Sequence, residues 1–172
     1  MPTASASGRR LPDTCRRLHD GGVVTESQRF ADLEHAAREL AAVVPVRVDG
    51  RIDLVLALGE AASSIAGVVA QQMECDYVVL PIARGDAPMI GTVPECAGRS
   101  VMVVDRGVET GQAAMLAAGA LREAGVSRLI LAVPVCPRQA EWTLAGAYDD
   151  IIALQRPLGR RSLQWHFIAP LE

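Results

Sequence analysis

The sequence predicts a doubly wound α/β fold, with a mainly parallel sheet flanked by helices in a single domain. Short apolar runs alternate with Ala- and Leu-rich helical patterns, and such runs are typical of strands buried on both faces of a parallel sheet. Half of the residues are hydrophobic but only 3% are aromatic, so we expect a core of Ala, Val, Leu and Ile. A chain of 172 residues is long enough for one domain and too short for two of ordinary size.

The domain is predicted to cover residues 25–172 and to follow a disordered tail, residues 1–24. The tail contains Pro, a Gly-Gly pair and four arginines. Those arginines could touch RNA or a partner, but a solvated arm is the preferred interpretation. The net charge of −3 gives no electrostatic reason to expect nucleic acid or an anionic membrane as the main partner. No apolar run approaches the ~20 residues of a membrane helix.

The start of the chain and its cysteines indicate which cellular compartment to expect and whether side chains of the protein bind a metal. The first residues lack the apolar stretch of a secretory signal, and the four cysteines show no paired spacing of the zinc kind. We therefore expect a cytoplasmic protein with reduced thiols and with no metal bound by its own side chains.

The order of elements follows from apolar periodicity and turn signals. A capping box at Thr25 and Gln28 is predicted to open an amphipathic helix that has Phe30 and Val44 on its apolar face and ends near Val43. Strands and helices then alternate: strand 53–58, helix 60–73, strand 76–82, a strand from 101, helix 112–125, strand 128–135, helix 138–146 and strand 150–154. Residues between 83 and 99 are predicted to form an irregular loop or a short hairpin.

The segment 101–114 is the most informative part of the chain. It begins as an apolar strand, becomes polar at Asp105, contains Gly107 and Gly111, and continues as a helical pattern from Gln112. A strand, a tight loop and a helix in this order place free backbone N–H groups at a helix N-terminus, where phosphates bind. An acid beside such a site suits a ligand that has sugar hydroxyls as well as a phosphate.

This segment resembles the phosphoribosyl pyrophosphate motif of the type I phosphoribosyltransferases. Asp105 takes the place of the first of two adjacent acids, and Thr110-Gly111 matches the Thr-Gly pair of the motif. Arg106 stands where the second acid belongs, and Ala113 stands where the final hydroxyl belongs. The resemblance covers most of the chain after the tail and is strongest over residues 98–135.

The resemblance implies transfer of a phosphoribosyl group from phosphoribosyl pyrophosphate to a nitrogen base, with release of pyrophosphate. It implies that Asp105 binds the ribose hydroxyls, that the loop 109–112 with Thr110 binds the 5′-phosphate, and that Mg²⁺ arrives with the substrate. Glu109 occupies the place where some purine-using members carry an acid near the base, so Asp105 and Glu109 are the candidate catalytic residues. The alternative interpretations are an Asp that only caps the next helix and a Glu that only favours the helix dipole.

Three departures from the family pattern leave the activity open. Arg106 replaces a carboxylate, although it could pair with a neighbouring acid or reach a phosphate. The loop 58–63 carries Glu60 where the pyrophosphate is expected, with Arg84 as a replacement cation. The stretch before the motif strand is short for a lid that excludes water. The candidate substrate-binding residues are Asp105, Arg106, Gly107, Glu109, Thr110, Gly111, Gln112, Gly59, Glu60 and Arg84.

The alternative function is that of a catalytically reduced relative, which binds ribose phosphate or a nucleotide as a sensor or as a subunit of an assembly. The changes at Arg106 and in the loop 58–63 favour this alternative, whereas Asp105 and Thr110-Gly111 favour the transferase. An RNA-binding regulator is disfavoured by the acidic balance and the few aromatic residues. A homodimer is the ordinary expectation for such a chain.

Overall fold

The computed structural model describes residues 29–83, 85, 87–159 and 161–171. The predicted tail, the predicted capping box at Thr25 and Gln28, and Arg84 lie outside the described residues. The helices are α1 Leu33–Arg47, α2 Ser63–Gln72, α3 Gln112–Glu123 and α4 Arg138–Leu144. The strands are β1 Leu54–Leu58, β2 Tyr77–Leu80, β3 Ile82–Ala83, β4 Met89–Ile90, β5 Ser100–Val104, β6 Arg128–Val135 and β7 Asp150–Gln155. The described part also contains 3-10 turns at Glu60–Ala62 and Leu163–His166.

The main sheet has five parallel strands in the order β2-β1-β5-β6-β7. Strands β3 and β4 form a separate antiparallel hairpin, which begins one residue before the region where a loop or short hairpin is predicted. The doubly wound parallel fold that the sequence predicts is therefore confirmed. Within the described residues, no helix combines the length and the apolar character needed to cross a membrane.

Both faces of the sheet are buried, because successive strand residues point to opposite sides. Leu56, Val103 and Leu131 belong to the core on the side of α3 and α4, and Met102 and Ile130 belong to the core on the side of α1 and α2. All five side chains are fully buried. Burial of each contributes roughly 1.5–3 kcal/mol, and this apolar packing fixes the strand ends on which the site is built.

The first helix differs from its prediction at both ends. It begins at Leu33, with the Asp32 side chain as its N-cap, and it continues to Arg47 instead of ending near Val43. Phe30, which was expected on the apolar face of the helix, instead forms a β-bridge with Phe167. The sequence pattern could not reveal this, because the bridging partner lies at the other end of the chain.

Two further element boundaries also differ from their predictions. The predicted strand 76–82 ends at Leu80, because Pro81 cannot donate to a strand ladder and the chain turns there into the β3–β4 hairpin. The predicted helix 60–73 begins as the 3-10 turn Glu60–Ala62 and becomes α-helical only at Ser63.

Candidate functional site

The candidate site lies where β1 and β5 end side by side. Ala57 pairs with Val104, so the residues that follow leave the sheet at the same edge. The chain leads from β1 outward to β2, and from β5 in the opposite direction to β6, which makes this place the switch point of the sheet. Ligands of open α/β sheets bind at such points, beyond the carboxyl ends of the strands. The two loops that start here are called the β1 loop, residues 58–63, and the β5 loop, residues 105–111.

Asp105 lies at the base of the β5 loop with only 4% of its surface exposed. Its Oδ1 accepts a hydrogen bond from the backbone N–H of Arg106 at 2.8 Å. Burial of a carboxylate is costly unless donors surround it, so its place at a strand end beside a loop of amides is informative. The structure therefore places the predicted ribose-binding carboxylate at the switch point.

Tyr148 is a neighbour of Asp105 that the sequence did not single out. Burial raises the pKa of Tyr148, and the negative charge of Asp105 raises it further. The neutral hydroxyl donates to the carbonyl oxygen of Ala114 at 2.7 Å, in the first turn of α3. Tyr148 thus fixes the beginning of the helix that follows the β5 loop. A Tyr in a region without a motif gives no sequence signal for such a role.

The backbone of the β5 loop is shaped by two glycines. Gly107 has φ +151° and Gly111 has φ +87°, values that side-chain-bearing residues rarely adopt. Within the described part of the chain, four amides of this loop donate no hydrogen bond: those of Gly107, Glu109, Thr110 and Gly111. Unused amides at a helix N-terminus form an anion site.

Thr110 near the end of this loop and Gln112 at the beginning of α3 are both exposed. The Gln112 amide donates to Thr110 Oγ1 over a long 3.4 Å. The Thr110 hydroxyl therefore caps α3 only weakly and is available to a ligand at the same place. The structure brings together every predicted binding residue from Asp105 to Gln112.

The carboxylate of Glu109 is hydrogen-bonded to a residue near the end of the chain. Its Oε1 accepts a hydrogen bond from the backbone N–H of Leu163 at 2.7 Å. The predicted role of Glu109 as an acid near the base would require this carboxylate to face a ligand. The contact with Leu163 was not foreseen, since the two residues lie far apart in the sequence.

The β1 loop is built differently. Gly59 has φ +83° and its amide donates to the Leu80 carbonyl at 2.9 Å. Glu60 is exposed in the first turn, where its Oε2 accepts from the hydroxyl of Ser63 at 3.4 Å. The hydroxyl of Ser63 is thus already used by this carboxylate, and Arg84 lies outside the described residues. Among the described side chains, no group of three or more His, Cys, Asp or Glu is arranged to hold a metal ion.

The chain is similar to a curated protein of moderate identity. The chain is 30% identical over 142 residues to the ribose-phosphate pyrophosphokinase of Methanopyrus kandleri, a match that covers 79% of this chain. The chain spans about half the length of this relative, since the match covers 49% of it. No protein-family profile matches the chain.

Solved structures share the fold over most of the chain. The protein TT1426 of Thermus thermophilus superposes with a TM-score of 0.69 at 21% identity, covering 84% of this chain and 92% of that one. An adenine phosphoribosyltransferase (APRTase) of Giardia lamblia, solved with 9-deazaadenine, superposes with a TM-score of 0.58 at 15% identity, covering 74% and 80% respectively. These similarities confirm the resemblance and the fold that the sequence predicts.

Proposed function

Because this chain has the fold of the type I phosphoribosyltransferases, we propose that its β5 loop binds the 5-phosphoribosyl group of a ribose phosphate. The observation that supports this proposal is the combination of a buried carboxylate, Asp105, with the undonated amides of one short loop. Ribose hydroxyls donate to a carboxylate, whereas phosphate oxygens accept from amides, so this ligand suits both halves of the loop. The relative from Methanopyrus kandleri is named for a ribose phosphate, which supports the same ligand class.

We propose phosphoribosyl transfer to a nitrogen base as the activity. In this reaction the bond between ribose C1 and the pyrophosphate oxygen breaks, and the electron pair leaves with pyrophosphate. A nitrogen of the base forms the new bond to C1 and its proton passes to solvent. Asp105 would hold the ribose hydroxyls while Thr110 and the loop amides hold the 5′-phosphate, so that C1 is presented in a fixed orientation.

Mg²⁺ is proposed to arrive with the substrate. Mg²⁺ is commonly bound through substrate phosphates with one or two carboxylates, and it would neutralise charge on the departing pyrophosphate. The described residues offer the single buried carboxylate of Asp105 at this edge of the sheet and no wider acidic cluster. This donor set fits an ion brought by the substrate better than an ion held by the protein alone.

The β1 loop favours a second candidate function, that of a sensor or assembly subunit that binds ribose phosphate without turnover. The exposed carboxylate of Glu60 lies in the loop where the pyrophosphate of a transferase substrate is expected, and Ser63 is engaged with it. A carboxylate ~4 Å from a phosphate oxygen is repelled by about 1 kcal/mol in water, and by more in a drier site. Such repulsion selectively weakens the binding of the pyrophosphate group of the ligand.

Calorimetric titration of the full chain separates the two candidates. Phosphoribosyl pyrophosphate and ribose 5-phosphate are compared, each with Mg²⁺. A transferase is expected to prefer phosphoribosyl pyrophosphate by more than about tenfold and to release pyrophosphate when a suitable base is added. A sensor is expected to bind both ligands equally and to release none. Binding of neither ligand would contradict the proposed site.

A further inference from the structure

Two contacts join the β5 loop to one residue of the C-terminal segment, residues 161–171. The first is the hydrogen bond from the Leu163 amide to Glu109 Oε1, at 2.7 Å. The second is apolar, because the Leu163 side chain lies directly against Gly107. A Cβ placed on that glycine would lie 2.4 Å from Leu163 Cδ2. A polar and an apolar contact together fix the position of the segment on the loop.

The other end of the C-terminal segment is anchored in the body of the domain. Phe167 is fully buried and packs on Phe30, with 5.4 Å between the ring centroids. The Phe30 amide donates to the His166 carbonyl, and the Ile168 amide donates to the Phe30 carbonyl, both at 2.9 Å. His166 Nδ1 lies 3.0 Å from Oε1 of Gln155, the last residue of β7. The segment is therefore held at both ends.

We propose that Glu109 is a positioning residue that holds the β5 loop in its ligand-binding form through Leu163. Phosphate binding requires the loop amides to converge on one place, and a loop with two glycines at positive φ loses that arrangement easily unless it is braced. Docking of the C-terminal segment and binding of the sugar phosphate are then coupled. By linkage, the factor by which docking raises ligand affinity equals the factor by which ligand favours docking. This inference rests on the proposed function for the identity of the ligand. The two contacts of Leu163 with the β5 loop, which we call the brace, do not depend on that function.

The variant Glu109→Gln distinguishes a positioning role of Glu109 from an acid role, because its side chain has the same shape but is an amide. In Glu109→Gln, Oε1 still accepts from the Leu163 amide, but the side chain can no longer take a proton from a base. Positioning therefore predicts that Glu109→Gln behaves as the parent and that only Glu109→Ala is impaired. An acid near the base predicts that both variants lose turnover while they keep ribose 5-phosphate binding.

The first test uses hydrogen exchange in the ligand-free full chain. In Glu109→Ala we expect the Leu163 amide to exchange about tenfold faster than in the parent, and the peptide of the β5 loop to exchange faster too. Glu109→Gln is expected to match the parent. The control is Glu123→Ala, which removes an exposed Glu at the far end of α3. Unchanged exchange at Leu163 in Glu109→Ala would overturn the proposal.

The second test measures the coupling with ribose 5-phosphate as the probe. Glu109→Ala is expected to bind it about tenfold more weakly, and the ligand is expected to slow Leu163 exchange in the parent. Leu163→Ala, which removes the apolar contact and keeps the amide, should lose affinity less, with exposed Leu158→Ala as its control. Equal affinity of Glu109→Ala and parent overturns the coupling. If the parent binds no ribose 5-phosphate, the proposed function fails, while exchange in the ligand-free chain still decides whether the brace exists.

Discussion

The β5 loop stays irregular from Asp105 to Gly111 before α3 begins, whereas the β1 loop enters a 3-10 turn directly after Gly59. The two loops differ in which backbone amides are used. In the β1 loop the amides of Gly59 and Ala62 donate to carbonyl groups of the chain, whereas those of Glu60 and Ala61 have no acceptor among the described residues. In the β5 loop the described part of the chain supplies no acceptor for four amides, and two of these amides belong to glycines at positive φ.

The two loops also differ in where they place a carboxylate. Asp105 precedes the amides of its loop and is buried at the strand end, so a phosphate bound by those amides need not lie beside it. Glu60 stands within the first turn and is exposed, where it occupies the position that favours an anion. On the function proposed above, the same strand-loop-helix unit would receive a sugar phosphate in the β5 loop, whereas in the β1 loop it supplies its own anion, Glu60.

The largest effect is expected from Asp105→Asn. The amide keeps the shape of the side chain but cannot accept charge-assisted hydrogen bonds from two ribose hydroxyls, each worth roughly 1.5–3 kcal/mol. Calorimetry should therefore show about a 100-fold loss of ribose 5-phosphate affinity. The control is Asp76→Asn, which changes an exposed Asp at the amino end of β2, opposite the site. An Asp105→Asn variant with parental affinity would contradict the assignment of Asp105 to the ribose.

The glycines of the two loops should respond differently to Ala. Gly107→Ala combines φ +151° with a Cβ 2.4 Å from Leu163 Cδ2, so we expect a loss of about 2–3 kcal/mol in the free energy of unfolding. Gly59→Ala meets Ile82 Cγ2 at 3.0 Å and should lose about 1 kcal/mol.

The matched control for both substitutions is Gly119→Ala, in open space on α3, which should stabilise the protein by up to about 1 kcal/mol. Urea unfolding of the three variants measures this order. A Gly107→Ala variant as stable as the parent would show that Leu163 does not pack against the loop.

The fold could be predicted from the sequence because its strands are continuous apolar runs. The strand Arg128–Val135 is apolar after its first residue and was predicted with the bounds that the structure has. The beginning of α1 could not be predicted, since the position of Phe30 depends on Phe167. Apolar periodicity reports which residues are buried, but it does not report which distant segment buries them.

The candidate site was predictable in its local part only. Asp105 and the glycines of the β5 loop lie within one motif, so chain order alone places them together. Leu163 reaches the same loop, and Tyr148 reaches the first turn of α3, through tertiary packing, which has no short-range signature. The catalytic assignment of Glu109 and the predicted homodimer stay predictions.

Glu60→Gln is expected to change ligand preference by a moderate factor. The substitution removes a charge that repels a pyrophosphate group, worth about 1 kcal/mol at ~4 Å in water, and it leaves an acceptor for Ser63. Affinity for phosphoribosyl pyrophosphate should rise about fivefold, while affinity for ribose 5-phosphate stays unchanged. The control is Glu74→Gln, beyond the opposite end of α2. An equal rise for both ligands would show that Glu60 acts on the β5 loop rather than on the pyrophosphate.

The smallest effect is expected from pH, and it acts through the anchor of the C-terminal segment. Burial lowers the pKa of His166 below its ordinary value of 6.5, and the positive charges of Arg161 and Arg29 lower it further. The unfolded chain therefore binds a proton at His166 more readily than the native chain does, so this contribution to stability is complete above about pH 6.5 and is lost as pH falls towards the native pKa.

Urea unfolding at a series of pH values should show that the free energy of unfolding falls as the pH falls below about 6.5 in the parent, and that it falls less steeply in His166→Gln. If His166 anchors the segment that braces the β5 loop, acidification should also speed exchange at Leu163 before the domain unfolds. Exchange in the β1 loop should not respond, because the hydrogen bonds of Leu163 and His166 run to Glu109, Gln155 and Phe30. Equal acceleration in both loops would mean that low pH loosens the whole domain and that the two loops do not differ in this respect.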